Sequence, residues 1–249
     1  MKIKIGIIGC LGKMGKAIIQ EVVAHDKTEI VAAVARSNIG EDYRGVKITD
    51  SISDAFKISD IVIDFTVRES MIECLDAAVE FKKPLVSGTT GIEDMDLYKY
   101  SSKVPILWSA NMSVGVNILL KLVKEAAELL GGEYDVEIWE MHHNLKKDSP
   151  SGTAIELGKT IAETLKIDFC INRQFPTIRQ KGNIGFAVSR GGGVIGDHNV
   201  MFVNSDERVE LSHKVINREV FAKGAVKAAI WLYENKRNSP GLYSMQEVI

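Results

Sequence analysis

Three cysteines in 249 residues are too few, and odd in number, for a disulfide framework. Cys10, Cys74 and Cys170 form no C-x-x-C pair, so they read as small buried apolar residues in a reducing cytosol. Charge of one sign is also lacking: 31 basic against 33 acidic residues leave a formal net charge of -2. Neither a basic nucleic-acid footprint nor an acidic disordered tail is present. Long hydrophobic runs are missing as well, since Lys121 and Lys124 interrupt residues 116–130 and no stretch reaches the roughly 18 apolar residues of a membrane span. Residues 1–12 carry two lysines and an apolar run without a clear small-residue cleavage site, and read as a first strand. Small molecules are therefore the expected ligands, and a cytoplasmic location the expected one.

What is present is alternation. An apolar strand over 2–8 leads into Gly9, Gly12 and Gly15, then a helical repeat over 13–24 and a second apolar strand over 29–35. Glycines after a first strand let the chain turn tightly, approach a pyrophosphate and pack a helix close to the sheet. The spacing is G-x-x-G-x-x-G, with Leu11 where the usual pattern has its middle glycine. Dinucleotide-binding folds place a carboxylate at the end of the second strand, on the ribose hydroxyls. Here Ala35 and Arg36 stand there instead, and a guanidinium suits a 2′-phosphate. The expected cofactor is NADPH, with NADH possible.

Further buried strands are expected at 61–65, 84–87 and 104–108, alternating with helices over 70–81 and 94–102. That order predicts a parallel, Rossmann-like α/β sheet. The loops Gly88, Thr89, Thr90, Gly91 and Ser109, Ala110, Asn111, Met112 fall at strand carboxyl ends, where open sheets bind ligands. A long amphipathic helix over 116–130 follows, then strands at 135–141, 184–190, 199–204 and 207–213, which suggest a mixed sheet in a central α+β domain. Residues 190–198 read as a glycine-rich hairpin between two of those strands. A final helix spans 219–233, and the tail beyond Pro240 is expected to pack back.

Chemistry concentrates in one loop. Glu140, His142, His143, Lys146, Asp148, Ser151, Gly152 and Thr153 crowd into the end of the strand that finishes at Met141, the polar loop after it and the start of a helix over 153–165. Ser151 to Thr153 would open that helix, whose unpaired N–H groups and positive dipole end hold a carboxylate or phosphate. Imidazole exchanges protons near neutral pH, and a lysine can act as acid. His142 and His143 would point to opposite faces of a continuing strand, which disfavours joint chelation, and there is no cysteine ligand cluster; no metal is expected.

Taken together, residues 9–15, 88–91, 109–117, 140–154 and 213–231 resemble the 4-hydroxy-tetrahydrodipicolinate reductase (dihydrodipicolinate reductase) family over essentially the full chain. The most specific part is E-x-H-H-x-x-K-x-D-x-P-S-G-T-A, running from Glu140 to Ala154. The resemblance implies NAD(P)H-dependent reduction of a cyclic dicarboxylate in lysine and diaminopimelate synthesis. It implies a dinucleotide domain, 1–111 completed by 217–249, around a substrate and tetramerisation domain, 112–216, in a homotetramer. It also implies His142 as acid/base and Lys146 as proton donor, with His143, Ser151, Gly152 and Thr153 on the substrate. Gly9, Cys10, Leu11, Gly12, Lys13, Met14, Gly88, Thr89, Thr90, Ser109, Ala110, Asn111 and Met112 would hold the cofactor, with Arg218 a further contact.

Two other functions share parts of this pattern. Another Rossmann reductase, acting on an aldehyde or keto acid, would use the cofactor loops but gives no reason for the 140–154 constellation. A non-catalytic nucleotide sensor would bind nucleotide and be indifferent to loss of His142 and Lys146.

Overall fold

The computed structural model describes residues 1–92, 94–169, 171 and 178–249. Cys170 lies outside the described residues, while Cys10 and Cys74 are free and buried. The chain divides into two units, Met1–Val114 with Glu219–Ile249, and Gly115–Arg218. The sequence boundaries fell at 111/112 and 216/217. Residues 112–114 stay with the first unit because Met112 is buried in its core and Val114 packs on it.

The first unit runs β1 (Ile3–Ile8), α1 (Lys13–Ala24), β2 (Thr28–Val34), β3 (Asp42–Tyr43), β4 (Val46–Thr49), α2 (Ile52–Ile58), β5 (Ile61–Asp64), α3 (Arg68–Phe81), β6 (Leu85–Ser87), α4 (Tyr98–Ser101) and β7 (Pro105–Trp108). After the second unit it resumes with α7 (Glu219–Lys236) and β12 (Gly241–Tyr243). Its sheet has the order β12-β7-β6-β5-β1-β2-β4-β3, parallel throughout except for the β3–β4 pair. Central strands such as Ile61–Asp64 are buried on both faces, which is why they read as unbroken apolar runs. On one face α1 and α7 pack through Ile18, Ile19, Ala225 and Ala229. On the other, α2 and α3 contribute Phe56, Met71 and Leu75. The tail adds β12 beside β7 and buries Met245 and Val248.

The helix expected over 94–102 is shorter than the sequence suggests. The Asp96 carboxylate accepts from the Tyr98 N–H at 3.1 Å, so the acidic turn competes with the helix and α4 begins only at Tyr98.

The second unit comprises α5 (Val114–Leu130, whose first residue belongs to the first unit), β8 (Asp135–His142), α6 (Gly152–Leu165), β9 (Ile184–Arg190), β10 (Asp197–Val203) and β11 (Arg208–Lys214). Its sheet has the order β11-β10-β8-β9, with β8 and β9 parallel. Residues 190–198 are therefore not a hairpin connection: β8 lies between β9 and β10. A hairpin needs adjacent antiparallel strands, whereas this segment passes the end of β8 and carries its own side chains to it. Val136, Ile138, Val200 and Phe202 share a core with Val116, Leu120 and Val123 of α5 and Leu157 and Ile161 of α6.

Candidate active site

Alternate residues of β8 are buried, and the last two on that face are Glu140 and His142 instead of aliphatics. Glu140 is 1% exposed, a position a carboxylate tolerates only if paired. Arg190, at the end of β9 and opposite His142 in register, pairs with Glu140 through both terminal guanidinium nitrogens: Nη1 to Oε2 at 2.9 Å and Nη2 to Oε1 at 3.0 Å. The Ser151 N–H donates to Oε1 at 3.0 Å, and His142 Nδ1 lies 2.5 Å from Oε2. Burial pushes the Glu140 carboxyl up, but the bonds from Arg190, His142 and Ser151 outweigh it and hold it below its usual range.

With Glu140 ionised, Nδ1 carries the proton and His142 presents the lone pair of Nε2. Burial lowers the imidazole against the opposing pull of Glu140, and the charges of Lys146 and Arg190 lower it further. A Cβ on Gly196 would stand 3.0 Å from Nε2, so glycine there keeps that nitrogen uncrowded. Arg190 also donates to the Asp148 carbonyl at 2.7 Å, tying the loop that bears Lys146 to the sheet. Lys146 Nζ pairs with Asp148 at 2.7 Å, and its N–H donates to the His143 carbonyl in a tight turn.

Ser151 caps α6: its hydroxyl accepts from the Ala154 N–H at 3.2 Å and meets His198 Nε2 at 3.0 Å. The first turn of α6 has no acidic residue, and nothing stands within 4 Å of where a Gly152 Cβ would be. This helix end is open to an anion.

His198 lies opposite Glu140 across the β8–β10 pair, its ring 5.2 Å from that of His142 and nearly perpendicular to it. Arg190 and His198 were set aside in the sequence as hairpin residues. The signal for His198 was its phase, two and four residues before the apolar Val200 and Phe202, which puts it inside. Burial, reinforced by the charges of His142, His213 and Lys146, pushes His198 from 6.5 to about 4. As pH falls the unfolded chain takes up that proton first. The neutral ring's contribution is thus complete above 6.5 and lost on the way down to 4, about 3 kcal/mol in all. Urea unfolding between pH 7 and 4 is expected to show this slope in the wild type and a flatter one in His198→Asn; equal slopes would place the proton uptake on another group.

In the first unit the glycine turn forms a cradle. Gly9 and Cys10 N–H groups donate to the Val34 carbonyl at 2.9 and 3.0 Å. Gly9 has a φ of +81°, and a Cβ on Gly15 would stand 2.1 Å from the Gly9 carbonyl oxygen. Gly12 caps α1 without a side-chain bond, and the first turn holds no acid. A cleft of about 440 Å³ opens here, lined by Gly9, Leu11, Gly12, Ala35, Arg36 and Thr66 among others. The cradle, the uncapped helix end and the guanidinium fit a dinucleotide.

The remaining expected cofactor residues lie elsewhere. Cys10 is buried in the core, Met14 packs against that core and Lys13 is exposed on α1. Gly88, Thr89 and Thr90 follow β6, with Thr89 buried. Ser109 and Asn111 bond one another beyond β7, Ala110 is exposed and Met112 is buried. None of these lines the cleft. Among the described residues no group of three or more His, Cys, Asp or Glu side chains is placed to hold a metal ion.

Residues 3–112 match the family described as "Dihydrodipicolinate reductase, N-terminus", and residues 115–249 match "Dihydrodipicolinate reductase, C-terminus". The chain is 68% identical over 261 aligned positions to the 4-hydroxy-tetrahydrodipicolinate reductase of Wolbachia sp. subsp. Drosophila simulans (strain wRi), covering 100% of both. It is 50% identical to the protein of that name from Anaplasma marginale (strain St. Maries), covering 99% of each. In fold it is similar to a dipicolinate-bound dihydrodipicolinate reductase from Paenisporosarcina sp. TG-14, with a TM-score of 0.83, 24% identity and full coverage of both chains.

Proposed function

Because this chain belongs to the dihydrodipicolinate reductase family, it is an NAD(P)H-dependent reductase of 4-hydroxy-tetrahydrodipicolinate, and we propose how its residues divide the work. The reaction yields tetrahydrodipicolinate, by way of dihydrodipicolinate, in the diaminopimelate and lysine pathway. A bound reduced nicotinamide supplies the hydride; the ring must then take a proton at the conjugated position.

His142 faces that task with Nε2 unprotonated, because Glu140 holds the proton on Nδ1. Lys146 is then the donor, and Asp148 and Arg190 place its loop. His142 orients the transfer as an acceptor. One substrate carboxylate sits on the open end of α6 at Gly152 and Thr153, beside the Ser151 cap, and His143 lies at the loop's start. The observation that carries this reading is the Arg190–Glu140–His142 chain, which joins the open end of α6 through the Ser151 N–H.

The cofactor reading is NADPH over NADH. Arg36 is steadied by a 3.1 Å bond to Ser70, and no acid stands at Ala35. Asp50 and Glu73 line the same cleft, so the guanidinium is what makes it hospitable to a 2′-phosphate. Arg36→Ala is expected to raise KM for NADPH about 10- to 100-fold and KM for NADH much less. Equal effects on the two coenzymes would sink the assignment.

The assembly is a homotetramer, built on the sheet face opposite the α5–α6 core, where Trp139, Met141 and Met201 remain partly exposed. The free buried cysteines support a cytoplasmic location, and among the described residues no helix is long and apolar enough to cross a membrane. The test of the whole reading is oxidation of NADPH and NADH, assayed separately, with substrate made in place from pyruvate and aspartate semialdehyde. Rapid substrate-dependent oxidation is expected. None with either coenzyme, from folded protein that binds nucleotide, would move the reading to another reductase substrate or to a sensor.

A further inference from the structure

One fully buried carboxylate has no part in the chemistry above. Asp64 ends β5, the strand beside β1 in the first unit's sheet, and its side chain is 0% exposed. Its Oδ1 accepts from the Thr66 hydroxyl at 2.5 Å; its Oδ2 accepts from the Ser87 hydroxyl at 2.7 Å and the Thr89 hydroxyl at 2.8 Å.

Proton counting shows that an acceptor is required there. The Ser87 hydroxyl already accepts from the Thr89 N–H at 3.2 Å, and the Thr89 hydroxyl from the Thr66 N–H at 3.1 Å. Each hydroxyl has one proton, and among the described residues Asp64 is its acceptor. The carboxylate thus closes a ring that joins the turn after β5 to the turn after β6. The Gly88 N–H, which donates to the Asp64 carbonyl at 3.0 Å, and Trp108 Nε1, which donates to the Thr89 carbonyl at 2.8 Å, tie the same two turns further.

The turn after β5 bears on the nucleotide cleft directly. Phe65 and Thr66 line it. A Cβ on Gly9 would meet the Phe65 carbonyl oxygen and Thr66 Cγ2, both at 2.8 Å, and a Cβ on Gly88 would meet the Phe65 ring at 2.3 Å. The turn after β5 therefore packs against both the turn after β1 and the turn after β6, and Asp64 bonds to the turns after β5 and β6. In open sheets of this kind the dinucleotide straddles the point where strand order reverses. Here β2 lies on one side of β1 and β5 on the other. Arg36 marks the β2 side for the adenosine half, so the turns after β5 and β6 face the nicotinamide half.

We propose that Asp64 is a positioning residue for the nicotinamide half of the coenzyme: it touches no reacting atom, but fixes the Phe65–Thr66 and Gly88–Thr89 turns against which that half is seated. This rests on the dinucleotide reading of the cleft.

The test compares binding of NADPH, NADH and ADP to the full chain by calorimetry, alongside thermal unfolding. Asp64→Ala leaves the Ser87 and Thr89 hydroxyl protons without their acceptor and is expected to weaken NADPH and NADH equally, by about 10- to 100-fold, with ADP changed less than twofold. Asp64→Asn can keep its oxygen towards Ser87 and Thr89 and turn its amide to Thr66, whose hydroxyl has the Val67 carbonyl 3.4 Å away. It is expected to recover most of the affinity, and Thr66→Val to reproduce the smaller remaining loss. If Asp64→Ala does not fold, these two variants carry the comparison. ADP weakening in step with NADPH, in line with lost thermal stability, would make Asp64 a purely structural group; unchanged binding of all three would also overturn the proposal. Wild-type protein that binds none of the three would instead overturn the dinucleotide reading itself.

Discussion

Lys146→Ala is expected to lower turnover about 10²–10⁴-fold, the range for loss of a general acid, with little change in stability. The two parts of this expectation separate on the geometry. Lys146 sits in a polar turn, and its partner Asp148 has a side chain 61% exposed. Although the Lys146 side chain itself is only 21% exposed, a pair whose carboxylate stands in solvent contributes on the order of 1 kcal/mol, so the variant should fold. Its chemistry has no obvious substitute, since His142 holds its proton on the Glu140 side and presents only a lone pair at Nε2. Lys146→Arg sharpens the test: it keeps a positive charge on the loop, but a guanidinium does not give up its proton. Steady-state NADPH oxidation should find both variants slow, and thermal unfolding should find both close to wild type. Near-normal turnover by a folded Lys146→Ala protein would mean that Lys146 is not the proton donor.

Much of this arrangement can be read along the chain, and the failures have a common physical origin. Helix α1 and strand β9 occupy the residues their patterns indicate, because amphipathic spacing and a bounded apolar run are local signals. Residues 42–58 hold three elements that the sequence reading did not include. A two-residue strand, a four-residue strand and a seven-residue helix are each shorter than the window in which periodicity is measurable. The 140–154 loop stands out along the chain because its polar residues interrupt two strongly patterned elements. Arg190 and His198 were misread because their meaning depends on β8 lying between β9 and β10, and strand order is a long-range property. Asp64 reads locally as one more strand residue; its three hydroxyl partners lie two, 23 and 25 residues further on.

Glu140→Ala is expected to be the most destabilising change at the site, by about 3–5 kcal/mol. Four donors converge on this carboxylate: two from Arg190, the Ser151 N–H and His142 Nδ1. Its removal leaves the guanidinium, with a side chain only 20% exposed, without its counter-ion. Glu140→Gln separates charge from shape. A glutamine amide must place its NH₂ where only donors now point, and the arrangement that costs least turns it to His142, which then accepts at Nδ1 and carries its proton on Nε2. Nitrogen-15 NMR of the imidazole should show Nδ1–H in the wild type and Nε2–H in Glu140→Gln, with turnover falling alongside. The acid limb of stability supplies a second reading. Glu140 is held below its ordinary 4.5, so its contribution is complete above that pH and lost as pH falls through the lower folded value. The loss due to His198 is spent by about pH 4. The wild type should therefore keep losing stability below pH 4, and Glu140→Gln should lose less there. A glutamine variant with the wild-type tautomer and wild-type acid sensitivity would show that Glu140 neither orients His142 nor carries the charge assigned to it.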